Sequence, residues 1–210
     1  MTELTILLVG AGGHAVACAD VIEQEGRFVI GGLVGMPEEV ESRIAGYDVV
    51  GTDADLPRLL GEHRHALVAV GQIKTPAPRI RLWEALTRGG WLLPTVVSPL
   101  AYVSSHSSIG AGTIIMHGAI VNAGATIGRN VIVNSQALVE HDVVIGDHCH
   151  IATGTLLNGG VTVGAGSFIG SGSIVRQGLV IAEGCVIGMG RRILADCPAG
   201  THIPNSASII

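Results

Sequence analysis

The sequence predicts an α/β domain with a small, mainly parallel sheet, followed by an all-β domain of stacked triangular coils, bounded at 1–100 and 101–210. Three observations carry this. Short apolar runs alternate with helix-like segments in the first half. An aliphatic residue then recurs at every sixth position through the second half, and a row of small residues runs in step with it. Composition agrees: at 48% hydrophobic the chain can bury a core, so disorder is excluded, and 31 glycines with no three-residue period exclude collagen.

In chain order, Leu4 to Val9 is a first strand, ending in Gly10-Ala11-Gly12-Gly13-His14-Ala15. Val16 to Gln24 reads as a helix, Phe28 to Val34 as a second strand and Ala66 to Val70 as a third. Leu56 to Leu60 and Ile80 to Thr87 read as helices, and Pro94 to Tyr102 as the crossover between domains. Gly10-x-Gly12-x-x-Ala15, after a strand and opening a helix, is a Rossmann-like nucleotide fingerprint. Such glycines let backbone N–H groups approach a phosphate at a helix N-terminus, although the same turn can simply pack helix on strand. An NAD site also needs an acid at the end of the second strand, and Ile30 to Gly35 has none.

The repeat starts at Val103. Stepping by six from there to Ile193 meets sixteen consecutive Val, Ile or Leu residues. Four residues after each stands the second row, beginning Ser107, Thr113, Ala119, Ala125 and small until the last coils. Gly recurs at 110, 128, 146 and 164. Six residues per face and three faces per turn give an 18-residue triangular coil, aliphatic residues inward and small ones near the corners. The rows resemble the hexapeptide repeat, whose form is the left-handed parallel β-helix; the hand is implied by that resemblance. It covers about 103–198 without an inserted loop. Cys149, Cys185 and Cys197 fall in the small row and are expected to be core fillers.

Net charge is −5 with Lys74 the single lysine, so nucleic acid is not the expected partner. No apolar run approaches the roughly 20 residues of a membrane span. The four cysteines form no C-x-x-C pair, and a reducing cytoplasm is expected.

Candidate chemistry concentrates between Asn134 and His150. His141 and Asp142 are the third and fourth residues of a hexad, at a corner where neighbouring side chains can meet. A carboxylate beside the imidazole would fix its tautomer, making His141 a general base. One coil later, Gly159 stacks over His141 and Gly160 over Asp142. At a strand spacing of about 4.8 Å, the Gly159 N–H would meet an oxyanion formed near His141. A zinc site from His141, His148 and His150 lacks the spacing of the hexapeptide-repeat carbonic anhydrases, so no metal is expected. His63 and His65 receive no role.

Gly10-Ala11-Gly12-Gly13-His14, then Val139-Glu140-His141-Asp142-Val143-Val144-Ile145-Gly146-Asp147, then the Gly-rich coils, resemble the bacterial nucleotide-sugar N-acetyltransferases related to sialic-acid O-acetyltransferases. The resemblance spans essentially the whole chain. It implies acetyl-CoA as cosubstrate and direct transfer to the 4-amino group of a nucleotide-linked dideoxy sugar in O-antigen synthesis. It also implies a homotrimer with active sites between subunits. His141 is similar to the family's base, Asp142 to its orienting acid and Gly159 to its oxyanion-hole amide. Asn134 corresponds to an active-site asparagine, and Gly12, Gly13 and His14 to the loop that holds the nucleotide sugar. His150 resembles an acetyl-CoA contact, and Ser171 and Met189 would offer the coenzyme backbone contacts. UDP-sugar members usually carry acids directly after the second strand. Here Val34-Gly35-Met36-Pro37 stands there, with Glu38 and Glu39 only later. That favours a purine nucleotide, with GDP-perosamine the expected acceptor and a UDP-4-amino-sugar the alternative. O-acetylation of a sialic acid and a non-enzymatic scaffold are further alternatives.

Overall fold

The computed structural model describes residues 4–205. The chain divides into two units: one runs to Gly71 and resumes over Ala77–Pro99, the other comprises Gln72–Pro76 and the chain from Leu100.

The first unit contains β1 (Thr5–Val9), α1 (Gly13–Glu25), β2 (Val29–Val34), β3 (Arg43–Ile44), β4 (Tyr47–Gly51), α2 (Leu56–Leu59), β5 (His65–Val68) and α3 (Ala77–Arg88). The sheet order is β3-β4-β2-β1-β5, parallel except for the β3–β4 hairpin. After Thr5, central β1 is apolar without a break because both its faces are covered: Ile6 to Val9 are fully buried. Helix α1 stops at Gly26, whose left-handed backbone (φ 69°) lets its N–H donate to Ile22 O at 3.0 Å. Leu7, Val9, Val34, Leu82, Leu86 and Trp91 form the core. The β3–β4 hairpin lies outside the sequence reading. Its two-residue turn, Ala45-Gly46, has positive φ at both positions, 53° and 86°. That is the geometry a two-residue hairpin favours, made here without Asn-Gly or Asp-Gly.

The second unit is a parallel β-helix of two-residue strands on three faces. The first face stacks Tyr102–Val103, Ile120–Val121, Leu138–Val139, Leu156–Leu157, Ile174–Val175 and Arg192–Ile193. Ser108–Ile109 starts the second face and Ile114–Ile115 leads the coil strands of the third, each pairing with the strand one coil on. The aliphatic row fills the interior: Ile115, Val121, Val133, Val139, Ile151 and Leu157 are fully buried.

From Thr113 to Ser173 the small row is buried just as completely, so it lines the interior as well as the corners. Its polar members close the backbone accounts there. Thr113 Oγ1 donates to Gly128 O at 2.8 Å and accepts from Val131 N at 3.0 Å. Ser173 does the same with Gly188 O and Arg191 N, and Cys149 Sγ reaches Gly164 O at 3.1 Å. Each corner from 112 to 190 is turned by the residue just before a position of this row, in the left-handed region. Glycine supplies that residue except at Asn130, Gln136, Asp142 and His148, with φ between 54° and 60°.

The last coil departs from the spacing. Ile181 pairs with Cys197 and Ile187 with Ile203, sixteen residues on instead of eighteen. Cys197 therefore stands in the aliphatic row, not the small row that counting assigns it, and the repeat continues to Ile203.

Candidate active site

His141 and Asp142 turn the corner between Leu138–Val139 on the first face and Val144–Ile145 on the second. Asp142 has φ 59°, a conformation aspartate tolerates, and its N–H donates to Ala123 O at 3.1 Å. Its Oδ2 lies 2.9 Å from His141 Nδ1. A carboxylate only accepts, so Nδ1 carries the hydrogen and Nε2 keeps its lone pair. That hydrogen bond is the main reason the His141 pKa is raised above 6.5; desolvation opposes it, and the charges of Asp142 and Glu140 add to it. Both side chains of the dyad are exposed, at 66% and 72%.

The coil pairing of Leu138 with Leu156 and Val139 with Leu157 sets Gly159 against His141. A β-carbon at 159 would stand 2.5 Å from Nε2 and 2.6 Å from Cε1, so only glycine leaves that nitrogen uncovered. Gly160 N–H donates to His141 O at 2.9 Å, and Gly159 O accepts from Gly178 N at 2.9 Å. The Gly159 N–H itself has no protein partner among the described residues. An unspent donor thus stands beside a lone-pair nitrogen.

A second group forms elsewhere. Ser135 N–H donates to Asn134 Oδ1 at 2.7 Å, and Asn134 Nδ2 lies 3.1 Å from His150 Nε2. His150 Nδ1 is 2.7 Å from Gln72 O, which accepts; Nδ1 therefore holds the hydrogen and Nε2 accepts from Asn134. His150 is only 7% exposed and packs edge-on against Phe168 at 5.3 Å. It braces Asn134 and the Gln72–Pro76 segment, with both ring nitrogens engaged. Ser171 is exposed, its carbonyl accepting from Gly190 N at 2.8 Å, whereas the Met189 N–H is spent on Asn205 Oδ1 at 2.9 Å. A cavity of about 450 Å³ opens nearby, lined by Ile73, Lys74, Phe168, Val186, Gly188 and the last coil. Within one chain the two groups do not meet: Asn134 precedes strand Leu138–Val139 and His141 follows it, on opposite edges of the first face.

In the first unit, Gly10 has φ 132° and passes so close to the chain just after β5 that a β-carbon would lie 2.9 Å from Ala69 C. Gly12 caps α1 with extended backbone and no capping side chain. Beyond it, β-carbons at Gly12 and Gly13 would meet nothing within 4 Å, which leaves the helix N-terminus open to an anion. His14 lies half-buried in the first turn of α1. The adjoining cavity, about 300 Å³, is lined by Gly10, Gly12, Met36, Glu39, Asp53 and Arg81 among others. Arg81 pairs with Asp53 at 3.0 Å.

Glu39 corrects the reading that no acid serves the end of the second strand. The 3₁₀ turn Pro37–Glu39 folds its carboxylate back, where Oε2 accepts from Met36 N at 2.7 Å. The same oxygen stands 2.7 Å from where a Gly35 β-carbon would be. Pro37, which favours the start of a helical turn, was the available signal. Among the described residues, no group of three or more His, Cys, Asp or Glu is placed to hold a metal ion, and no helix is long and apolar enough to cross a membrane.

Residues 5–81 match the PglD N-terminal domain, and residues 106–141 and 124–159 match the bacterial transferase hexapeptide of six repeats. The acetyltransferase domain of PglB from Neisseria gonorrhoeae FA1090, solved in complex with acetyl coenzyme A, is similar at TM-score 0.88 and 31% identity over 96% of each chain. This chain belongs to the PglD-type, hexapeptide-repeat family of acetyl-CoA-dependent sugar acetyltransferases. A histidine variant of perosamine N-acetyltransferase from Caulobacter crescentus, in complex with CoA and GDP-perosamine, is similar to this acetyltransferase at TM-score 0.90 and 29% identity, over 95% of this chain and 93% of that one. WeeI from Acinetobacter baumannii AYE, 22% identical, shares the acetyltransferase's fold at TM-score 0.85 over 96% and 97%. No curated protein matches the sequence.

Proposed function

We propose that this acetyltransferase moves the acetyl group of acetyl-CoA directly to the 4-amino group of a nucleotide-linked dideoxy sugar, with GDP-perosamine as acceptor, for surface-polysaccharide synthesis in the cytoplasm. The observation that carries the reading is the uncovered Nε2 of His141 beside the unspent N–H of Gly159. The sugar amine attacks the thioester carbonyl carbon. His141 Nε2 takes the amine proton, and the imidazolium is stabilised by Asp142. The Gly159 N–H stabilises the oxyanion of the tetrahedral intermediate. Collapse breaks the C–S bond, and the CoA thiolate leaves with the proton that His141 returns. The proposed transfer needs no acyl-enzyme, and burial pushes the Cys18 and Cys149 thiols up to about 12, which leaves these two poor nucleophiles.

The nucleotide is assigned to the cavity lined by Gly12 and to the adjoining helix N-terminus at Gly13 and His14. The similarity to a protein crystallised with GDP-perosamine supports the acceptor. The folded-back Glu39 removes the argument for a purine from a missing acid. His150 and Ser171 are assigned to the coenzyme side, and Asn134, which bonds His150, to the acceptor sugar. Met189 is assigned to the coenzyme side as well, its backbone contact falling to the carbonyl while Asn205 Oδ1 holds the N–H.

A homotrimer completes the site. The outward residues of the first face, Tyr102, Ile120, Leu138, Leu156 and Ile174, form an unbroken apolar row, with Tyr102 59% and Ile120 40% exposed. The matching row of the second face includes Ser108, Thr126 and Thr162. An apolar row flanked by His141 on one edge and Asn134 on the other suits a second copy, whose docking joins the two groups.

The test is thiol release from acetyl-CoA with GDP-perosamine, a UDP-4-amino-sugar and a free sialic acid in parallel. Turnover with the GDP sugar is the expected result. Preference for another acceptor overturns the choice of substrate. A His141→Asn variant that keeps the full rate overturns the mechanism, which requires a loss of roughly 10²–10⁴ in kcat.

A further inference from the structure

The corner that carries the dyad repeats in every coil. Its column reads Ser105-His106, Ala123-Gly124, His141-Asp142, Gly159-Gly160 and Gln177-Gly178. Each left-handed residue donates its N–H to the coil before: Gly124 to His106 O, Asp142 to Ala123 O, Gly160 to His141 O and Gly178 to Gly159 O. Asp142, Gly160 and Gly178 each reach nineteen residues back and Gly124 eighteen; all four share the left-handed backbone, and the main difference between levels is which positions carry side chains.

Asp142 lies against the coil that precedes it. A β-carbon at Gly124 would overlap Asp142 Oδ1 and stand 3.3 Å from its Cγ. The carboxylate thus occupies the space that a side chain at 124 would fill. From there its other oxygen, Oδ2, holds His141 Nδ1. We infer that Gly124 is a positioning residue for the dyad: its lack of a side chain seats the Asp142 carboxylate where it can orient the imidazole. The inference rests on His141 acting as the base.

The physical consequence is specific. The overlapping atom is the free end of an exposed side chain, so a methyl group at 124 displaces the carboxylate by rotation instead of breaking the coil. The displaced carboxylate leaves Nδ1, and both the tautomer and the raised proton affinity of the imidazole go with it. Of the other titratable groups at this corner, Glu140 stands on the same turn and His106 on the column two coils before. Gly159, Gly160, Gln177 and Gly178 carry no charge.

Gly178 supplies the control. It has φ 69° against 76° for Gly124, so alanine suffers the same backbone strain at either position. A β-carbon at 178 meets nothing within 4 Å. The experiment compares Gly124→Ala, Gly178→Ala and Asp142→Asn by kcat, by KM for both substrates and by NMR titration of the His141 imidazole. Gly124→Ala is expected to lower kcat by roughly 10-fold or more, with KM within about twofold, and to bring the His141 pKa down toward its unperturbed 6.5. Gly178→Ala is expected to leave all three in place. In an Asp142→Asn background, adding Gly124→Ala is expected to cost no more than Gly178→Ala does. The inference is overturned if Gly124→Ala leaves the imidazole titration unmoved, or if its cost persists undiminished without the carboxylate. The titration needs no acceptor, so it decides the positioning even if the proposed reaction is wrong. Should alanine at 124 unfold the protein, Gly124→Asn, whose residue accepts the left-handed backbone, carries the same comparison.

Discussion

Gly159 and His141 are one coil apart in sequence and in contact in space: the position of a β-carbon on Gly159 is 2.5 Å from His141 Nε2. Gly159 is not in the left-handed region, so its backbone does not demand glycine. The imidazole does. Gly159→Ala is expected to displace an exposed ring at little cost to the fold and to lower kcat by roughly 10²-fold through loss of the proton acceptor. Steady-state kinetics and a thermal melt on the same preparation check this. A variant that melts early yet turns over normally would contradict it.

The pH dependence follows from the same dyad. A general base works deprotonated, so kcat is expected to rise with pH through a midpoint above 6.5, because Asp142 raises the His141 pKa. Asp142→Asn keeps a residue that tolerates the left-handed corner, and is expected to move that midpoint down while lowering kcat. The stability linkage has the opposite sense. The folded pKa lies above the unfolded value, so the pair stabilises the fold fully below the unfolded pKa and ceases to as pH rises through the folded one. Both groups are exposed, so the melting temperature is expected to respond little. Rate profiles and melts at several pH values separate the two effects.

The buried thiols are expected to be inert. Cys149 is fully buried and its thiol is pushed up to about 12, chiefly by desolvation. Cys149→Ser is expected to be nearly neutral, because Ser167 and Ser173 already occupy equivalent positions and donate to equivalent carbonyls. Labelling of native protein with a thiol reagent, alongside a melt of the variant, checks both statements. Rapid labelling of the folded enzyme is the contrary result.

How much of this was legible beforehand depended on whether the information was periodic. The aliphatic and small rows recur with the coil, so the β-helix, the stacking of Gly159 on His141 and the corner placement of Asp142 could be counted off the sequence. The final coil could not, because two residues are missing between Ile181 and Cys197 and nothing local announces it. The Ala45-Gly46 turn was missed for want of the usual turn residues. Glu39 was misjudged because distance along the chain is a poor guide across a 3₁₀ turn. The bracket from Asn134 through His150 to Gln72 joins positions 78 residues apart at its far end, beyond any repeat.

Glu39 gives the next prediction. Its carboxylate lines the first unit's cavity beside Gly12, with Oε2 engaged by Met36 N. A nucleobase reaching this wall would present an N–H to the carboxylate. Glu39→Gln keeps the size and part of the bonding but loses the charge-assisted acceptor. It is expected to raise KM for the nucleotide sugar by roughly 10-fold, about 1.4 kcal/mol, with kcat and the KM for acetyl-CoA little changed. Equal effects on both substrates would assign Glu39 to the fold instead.

The exposed first face gives the last. Tyr102, Ile120 and Ile174 stand 59%, 40% and 38% exposed along one column, an apolar row that a lone chain would leave in water. If a second copy covers it, light scattering is expected to return three times the 21.5 kDa chain mass. An Ile120→Asp substitution places a charge in the middle of that row. It is expected to yield folded single chains with an unchanged β-sheet signal and almost no turnover, because His141 and Asn134 lie on opposite edges of the face within one chain. Partial activity is expected to return when this variant is mixed with an excess of His141→Asn protein, since each mixed site draws its two halves from different copies. A single-chain species as active as the untouched enzyme would remove both the assembly and the shared site.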